Sequence, residues 1–189
     1  MRTIVIGGFS SGVGKTSLVC RLLEALEGWA ALKTSPLRDG DAGPYEIVRD
    51  DLTLRSPGSD TARYLAAGAS RVAWLRYRRD RLADAMTVTL SYFEGCAGLL
   101  VEGNSAARQL PGAGVIVVAR AGSTETKPSV LGLLGRAGAL VANHAGTGGG
   151  ALPDPLRGLR TVALDAENAG DPRTRAFVEE VATWARRPA

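Results

Sequence analysis

Lysine is almost absent from this chain of 189 residues: there are three, Lys15, Lys33 and Lys127, against 20 arginines. Surface charge is therefore made with arginine. The compact ammonium, which fits among phosphate oxygens as a guanidinium does not, is kept for three places. Each falls at or shortly after the end of a predicted strand, where an α/β sheet holds its ligand; codon bias with chance placement is the alternative. Histidine occurs once, as His144, and cysteine twice, as Cys20 and Cys96. Residues so few and so far apart exclude a disulfide framework and a Cys/His metal site, and fit reduced thiols in a cytoplasmic protein. No apolar run approaches the roughly 20 residues of a membrane span. The apolar start runs straight into a glycine-rich segment and does not read as a signal peptide. There is no internal repeat and no linker. The length suits one domain, and a composition of 45% hydrophobic and 22% charged residues supplies an ordinary core. A net charge of +4 gives no argument for a nucleic-acid partner.

What the chain does have is Gly7-Gly8-Phe9-Ser10-Ser11-Gly12-Val13-Gly14-Lys15-Thr16, set between the apolar run Ile4-Val5-Ile6 and a helical pattern. Strand, glycine-rich turn and helix together form the setting of a phosphate-binding loop. Glycines let backbone N–H groups point inward at phosphate oxygens, and the following helix adds its positive end. The predicted nucleotide contacts are Gly8, Ser10, Ser11, Gly12, Val13, Gly14, Lys15, Thr16 and Ser17. Lys15 would reach the β- and γ-phosphates and Thr16 would ligate Mg²⁺. The strict pattern Gly-x4-Gly-Lys-[Ser/Thr] wants glycine where the chain has Phe9. A glycine-rich turn holding a chance Gly-Lys-Thr is the alternative reading.

Strands are predicted at Arg2–Gly7, Trp29–Lys33, Arg71–Arg76, Gly98–Glu102, Gly114–Ala119, Leu140–Asn143 and Leu159–Leu164. Helices are predicted at Lys15–Glu27, Asp60–Ala69, Asp80–Phe93 and Pro128–Arg136. A last helix is capped by Asp171 and turns Phe177, Val178, Val181 and Trp184 inward. Thr34–Ser59, rich in Pro, Gly and Asp, reads as a substrate loop or insert with a hairpin around Tyr45–Leu54. Ala145–Ala151 reads as a glycine-rich loop. Alternating strands and helices predict an α/β fold, a mostly parallel sheet with helices on both faces.

Leu99-Leu100-Val101-Glu102-Gly103 is an apolar strand ending in a carboxylate, the place from which an acid reaches Mg²⁺ beside a phosphate loop. Lys33 ends the second strand. Asp60 opens a helix, where capping alone would explain it. Asn143, at a strand end, offers an amide for a purine edge, while His144 reads as a wall residue. Asn-Lys-x-Asp, the guanine-selecting motif, is missing, so ATP and GTP both remain. Arg76-Tyr77-Arg78-Arg79-Asp80-Arg81 reads as a solvated strand-to-helix turn, with a grip on an acidic ligand or RNA as the other option.

The phosphate loop resembles that of dethiobiotin synthetase and the cobyrinate amidation enzymes, in the SIMIBI-like branch of P-loop nucleoside triphosphatases. Val101-Glu102-Gly103 resembles dethiobiotin synthetase and the molybdopterin-guanine dinucleotide biosynthesis protein B family. Pro57-Gly58-Ser59-Asp60-Thr61 followed by Ala66-Ala67-Gly68-Ala69 resembles the molybdopterin-guanine dinucleotide biosynthesis protein B family, a further branch member. The resemblance covers most of the first 145 residues. It implies Asp60 near the metal, giving Thr16, Asp60 and Glu102 as metal residues. It also implies a phosphate- or substrate-side role for Lys33, Asn143 at the base, and Lys15, Lys33 and Glu102 as the catalytic set. The chain departs from protein B at Lys33-Thr34-Ser35, where that family has Lys-His-Asp. It departs again at Glu102-Gly103-Asn104-Ser105, where the family has acid-Gly-aromatic-Lys. The expectation is a Mg²⁺-dependent ATP- or GTP-hydrolysing accessory protein of cofactor (molybdenum cofactor) biosynthesis, slow until a partner protein or a substrate completes its site. The alternatives are a ligase or kinase acting on a small-molecule acceptor and a nucleotide-gated binding module, with a homodimer as one expected assembly. A nucleic-acid partner and a membrane location are not expected.

Overall fold

The computed structural model describes residues 1–145 and 159–187. These form one sheet from β1 (Arg2–Gly8), β2 (Trp29–Pro36), β3 (Tyr45–Val48), β4 (Val72–Tyr77), β5 (Gly98–Glu102), β6 (Gly114–Arg120), β7 (Ala139–Asn143) and β8 (Thr161–Leu164). The order is β3-β4-β2-β5-β1-β6-β7-β8, parallel throughout except for β3 against β4. The helices are α1 (Lys15–Ala25), α2 (Asp51–Leu54), α3 (Asp60–Ala66), α4 (Leu82–Ser91), α5 (Pro128–Leu134) and α6 (Pro172–Arg186). Strand parity divides the core in two. Ile4, Ile6, Leu100 and Val141 face α1, α3 and α6, where Leu18, Leu22, Tyr64 and Phe177 lie. Val5, Leu99, Val101 and Leu140 face the other way, onto Leu82, Met86, Phe93, Val130 and Leu133 of the α4–α5 side. Near-continuous apolar strands are what a sheet covered on both faces requires.

Three expectations are corrected. The Tyr45–Leu54 segment is no local hairpin: β3 adds antiparallel to the later strand β4, and α2 follows, capped by Asp50, whose carboxylate accepts from the Thr53 N–H at 2.8 Å. A four-residue strand gains more hydrogen bonds on the open edge of β4 than it would by folding on itself. The second strand runs on to Pro36, three residues past Lys33, because β4 pairs with it that far. Trp184 is 40% exposed. Its ring lies over Gly114 and under the Arg2 guanidinium, at the border of the sheet and not in the core.

In the arginine run, Arg76 bridges Asp41 at 2.5 Å and Glu46 at 2.6 Å and stacks on Trp74, while Arg78 donates to the carbonyls of Gly43 and Asp41. The run thereby ties the 34–59 segment to the sheet. Ala145 begins the predicted glycine-rich loop; the rest of that loop lies outside the described residues.

Candidate functional site

The Phe9 N–H donates to the Val118 carbonyl at 3.0 Å, continuing the ladder of β1, and its ring is buried in the α4–α5 core. Phenylalanine at the glycine position of the strict pattern therefore acts as one more strand residue, and the loop starts at Ser10. It turns on Gly12 (φ 68°) and Gly14 (φ 96°), left-handed conformations that favour glycine, and α1 begins at Lys15. The Lys15 stem folds back over Gly8, where a Cβ would come 2.8 Å from Lys15 Cδ. Its ammonium donates to the Ser10 carbonyl at 3.1 Å. Burial lowers the Lys15 pKa, with the Lys33 and Lys127 charges adding to that and Glu102 and Asp60 opposing it.

Register builds the acidic half. Lys33 on β2 pairs with Glu102 on β5, which pairs with Ile6 on β1. Parity puts Lys33 and Glu102 on the face of Ala31 and Leu100, toward α1 and α3. There Lys33 Nζ lies 2.5 Å from Glu102 Oε1 and 2.5 Å from Asp60 Oδ2. Asp60 does not cap its helix. Ser59 does, accepting from the Ala62 N–H at 3.1 Å, and the Asp60 carboxylate is left to face Thr16 and Lys33. Burial pulls the Lys33 pKa down, but the Glu102 charge and the hydrogen bonds to both acids raise it overall. Burial likewise pushes Asp60 up, and Lys33 and Thr16 more than reverse it, leaving it lowered.

Thr16 Oγ1 is 2.8 Å from Asp60 Oδ1 and 2.9 Å from Glu102 Oε2. Two carboxylates and one hydroxyl converge at the first turn of α1, with the Lys33 ammonium bonded to both acids. Among the described residues no group of three or more His, Cys, Asp or Glu forms a protein cage for a metal. Mg²⁺ keeps several waters and takes one or two carboxylates plus substrate phosphates. The donor set present is hard oxygen, and it fits.

Sequence reasoning missed three contributors. Tyr64, fully buried on α3 one turn after Asp60, donates its hydroxyl to Glu102 Oε2. Asn104 clamps the end of β1, accepting from the Gly8 N–H at 2.8 Å and donating to the Gly8 carbonyl at 3.0 Å. Thr34 donates to the Glu102 carbonyl at 2.9 Å, and Gly103 (φ 145°) leaves room for it: a Cβ there would lie 2.0 Å from Thr34 Oγ1. Two of the three could have been found. Tyr64 is four residues from Asp60, and Thr34 follows Lys33.

The predicted base contact is corrected. Asn143 is fully buried, its Nδ2 donates to the Val13 carbonyl at 2.9 Å, and its Oδ1 accepts from the N–H groups of Ala166 at 3.1 Å and Ala145 at 3.3 Å. The amide is spent on backbone, so Asn143 is a strut of the phosphate loop. Ser17 also faces inward, its Oγ accepting from Arg63 Nη2 at 3.0 Å and joining α1 to α3. On the loop's outer side Arg120 donates to the Gly12 carbonyl at 3.2 Å, and Lys127 Nζ donates to Ser11 Oγ at 2.8 Å. A cavity of about 290 Å³ lined by His144, Leu164, Asp165, Asp171 and Arg173 opens past the ends of β7 and β8.

Strand, glycine-rich loop and helix, with an acid on the neighbouring strand, give the arrangement of a P-loop α/β protein. No family model matches the sequence, and no curated protein matches it. Among solved structures the chain is similar to one in the MinC:MinD cell division protein complex of Aquifex aeolicus. That similarity has 16% identity over 95% of this chain and 86% of that one, with a TM-score of 0.48. At that distance the likeness says nothing of what this chain binds.

Proposed function

We propose that the protein binds a nucleoside triphosphate with Mg²⁺ and hydrolyses it. One observation carries this reading: the first turn of α1 sets Lys15 in the phosphate loop and, one residue on, Thr16 against Asp60 and Glu102. A cationic cradle and a hard-oxygen metal position therefore share one helix start. The loop N–H groups and the positive end of α1 bind the phosphates, and Lys15 neutralises the β- and γ-oxygens. Thr16, Asp60 and Glu102 would hold Mg²⁺, which when bound would supply charge neutralisation along the phosphates. Lys33 sits against both acids, and from there its ammonium would serve the terminal phosphate. Such a second cation matters most where charge develops in the transition state. The finer reading is an accessory role in cofactor assembly. It rests on the protein B-like segment 57–69, whereas the dethiobiotin synthetase-like loop supports transfer to a small acceptor. Phosphate release stimulated by a small molecule separates the second from the first.

Lys15→Ala tests the core of the proposal. Calorimetry with Mg²⁺ and ATP or GTP should show affinity falling about a hundredfold, the scale of two hydrogen bonds to charged oxygens. Unchanged affinity overturns it.

A further inference from the structure

Lys33 is balanced by two carboxylates; Lys127 has none. Among the described residues no acid lies within ion-pair reach of its ammonium, and its one polar contact is Ser11 Oγ at 2.8 Å. The side chain is not a free surface lysine that happens to lie there. Its own backbone N–H donates to the Phe9 carbonyl at 2.8 Å, so the segment entering α5 is fastened to the end of β1, beside the loop. The ammoniums of Lys15 and Lys127 thus hang on successive loop residues, one on the Ser10 carbonyl and the other on Ser11 Oγ. They are close enough for the charge of Lys127 to act on Lys15. Two like charges held over one small loop repel each other, and no acid is bonded to Lys127 among the described residues. An anion placed between them offsets that repulsion.

We propose that Lys127 is a third phosphate-binding cation, which contacts the terminal phosphate of the bound nucleotide and selects triphosphate over diphosphate. This rests on the nucleotide reading above and deepens it. Lys15 enters from the helix side and Lys127 from the β6–α5 side, so the terminal phosphate is gripped from two directions. The inner phosphates depend on the loop backbone and Lys15. The chain's three lysines thereby acquire one address, with Lys33 approaching the phosphates from the side of the two acids and the other two from the loop.

The test is the ratio of triphosphate to diphosphate affinity, measured calorimetrically with Mg²⁺ on wild type, Lys127→Gln and Lys127→Arg. Lys127→Gln should weaken the triphosphate about tenfold, the scale of one lost hydrogen bond to a charged group. It should leave the diphosphate within about twofold and the melting temperature unchanged, and Lys127→Arg should recover part of the loss. An unchanged ratio in Lys127→Gln overturns the proposal, as does equal weakening of both nucleotides. Failure of the wild type to bind either nucleotide defeats the nucleotide reading itself, a distinct outcome.

Discussion

Thr16 has one hydroxyl hydrogen and two carboxylate oxygens within reach, on Asp60 and Glu102. It can satisfy only one of them at a time; Lys33 and Tyr64 donate to the other oxygens, so the surplus is one of charge, two carboxylates against the one ammonium bonded to them. A divalent cation would offset that surplus, which is the physical ground for proposing a metal there. Tyr64 limits how the surplus can relax. Burial, then the charge and hydrogen bond of Glu102, raise its pKa well above the usual phenol value, so it remains a donor that holds Glu102 Oε2. Tyr64→Phe removes this hydrogen bond and nothing else. The variant should fold and should bind nucleotide in EDTA as wild type does. The Mg²⁺ concentration for half-maximal hydrolysis should rise about threefold to tenfold, and the calorimetric gain from adding Mg²⁺ should shrink. Unaltered Mg²⁺ dependence would reduce Tyr64 to a packing residue.

At the scale of elements, the loop is held from beneath by residues on other strands. Asn143, at the end of β7, joins Val13 in the loop to Ala145 and Ala166, and Gly14 is glycine partly because a Cβ there would lie 2.2 Å from Asn143 Nδ2. Asn143→Ala leaves these buried backbone groups without partners. Stability should fall by about 2–4 kcal/mol in urea denaturation, with nucleotide affinity reduced as well. A loss of affinity at full stability would restore Asn143 to the base. The sequence made the strands and helices legible because apolar runs and helical periodicity are local. The phosphate loop was legible for the same reason, its donors being contiguous. Glu102 and Lys33 were legible because strand ends are where such sheets work. The direction of Asn143 was missed, although parity with Val141 aims it at α1. Asn104 was out of reach: it meets Gly8 across 96 residues, a closeness that only the strand order creates.

For the molecule as a whole, the site is a product of the complete sheet. Lys33, Asp60, Tyr64 and Glu102 come from β2, α3 and β5, and they meet Thr16 of α1 only when these elements are packed. A ligand bound there should stabilise the entire fold. At a hundred times its dissociation constant, a Mg²⁺–nucleotide complex contributes about 2.7 kcal/mol, a rise of roughly 5–10 °C in melting temperature for a chain of this size. Lys15→Ala should lose most of that rise, measured by scanning calorimetry at matched nucleotide. β1 is central in the sheet and precedes the other seven described strands, and its neighbours are β5, beginning at Gly98, and β6, beginning at Gly114. On a ribosome adding about 5–20 residues per second, the roughly 100 residues between the loop strand and its last neighbour take about 5–20 s. Until β5 is made, which is most of that time, neither edge of Ile4-Val5-Ile6 has its native neighbour. The segment that later carries the phosphate loop is therefore the nascent chain's most exposed strand, and the one that a chaperone has most reason to cover.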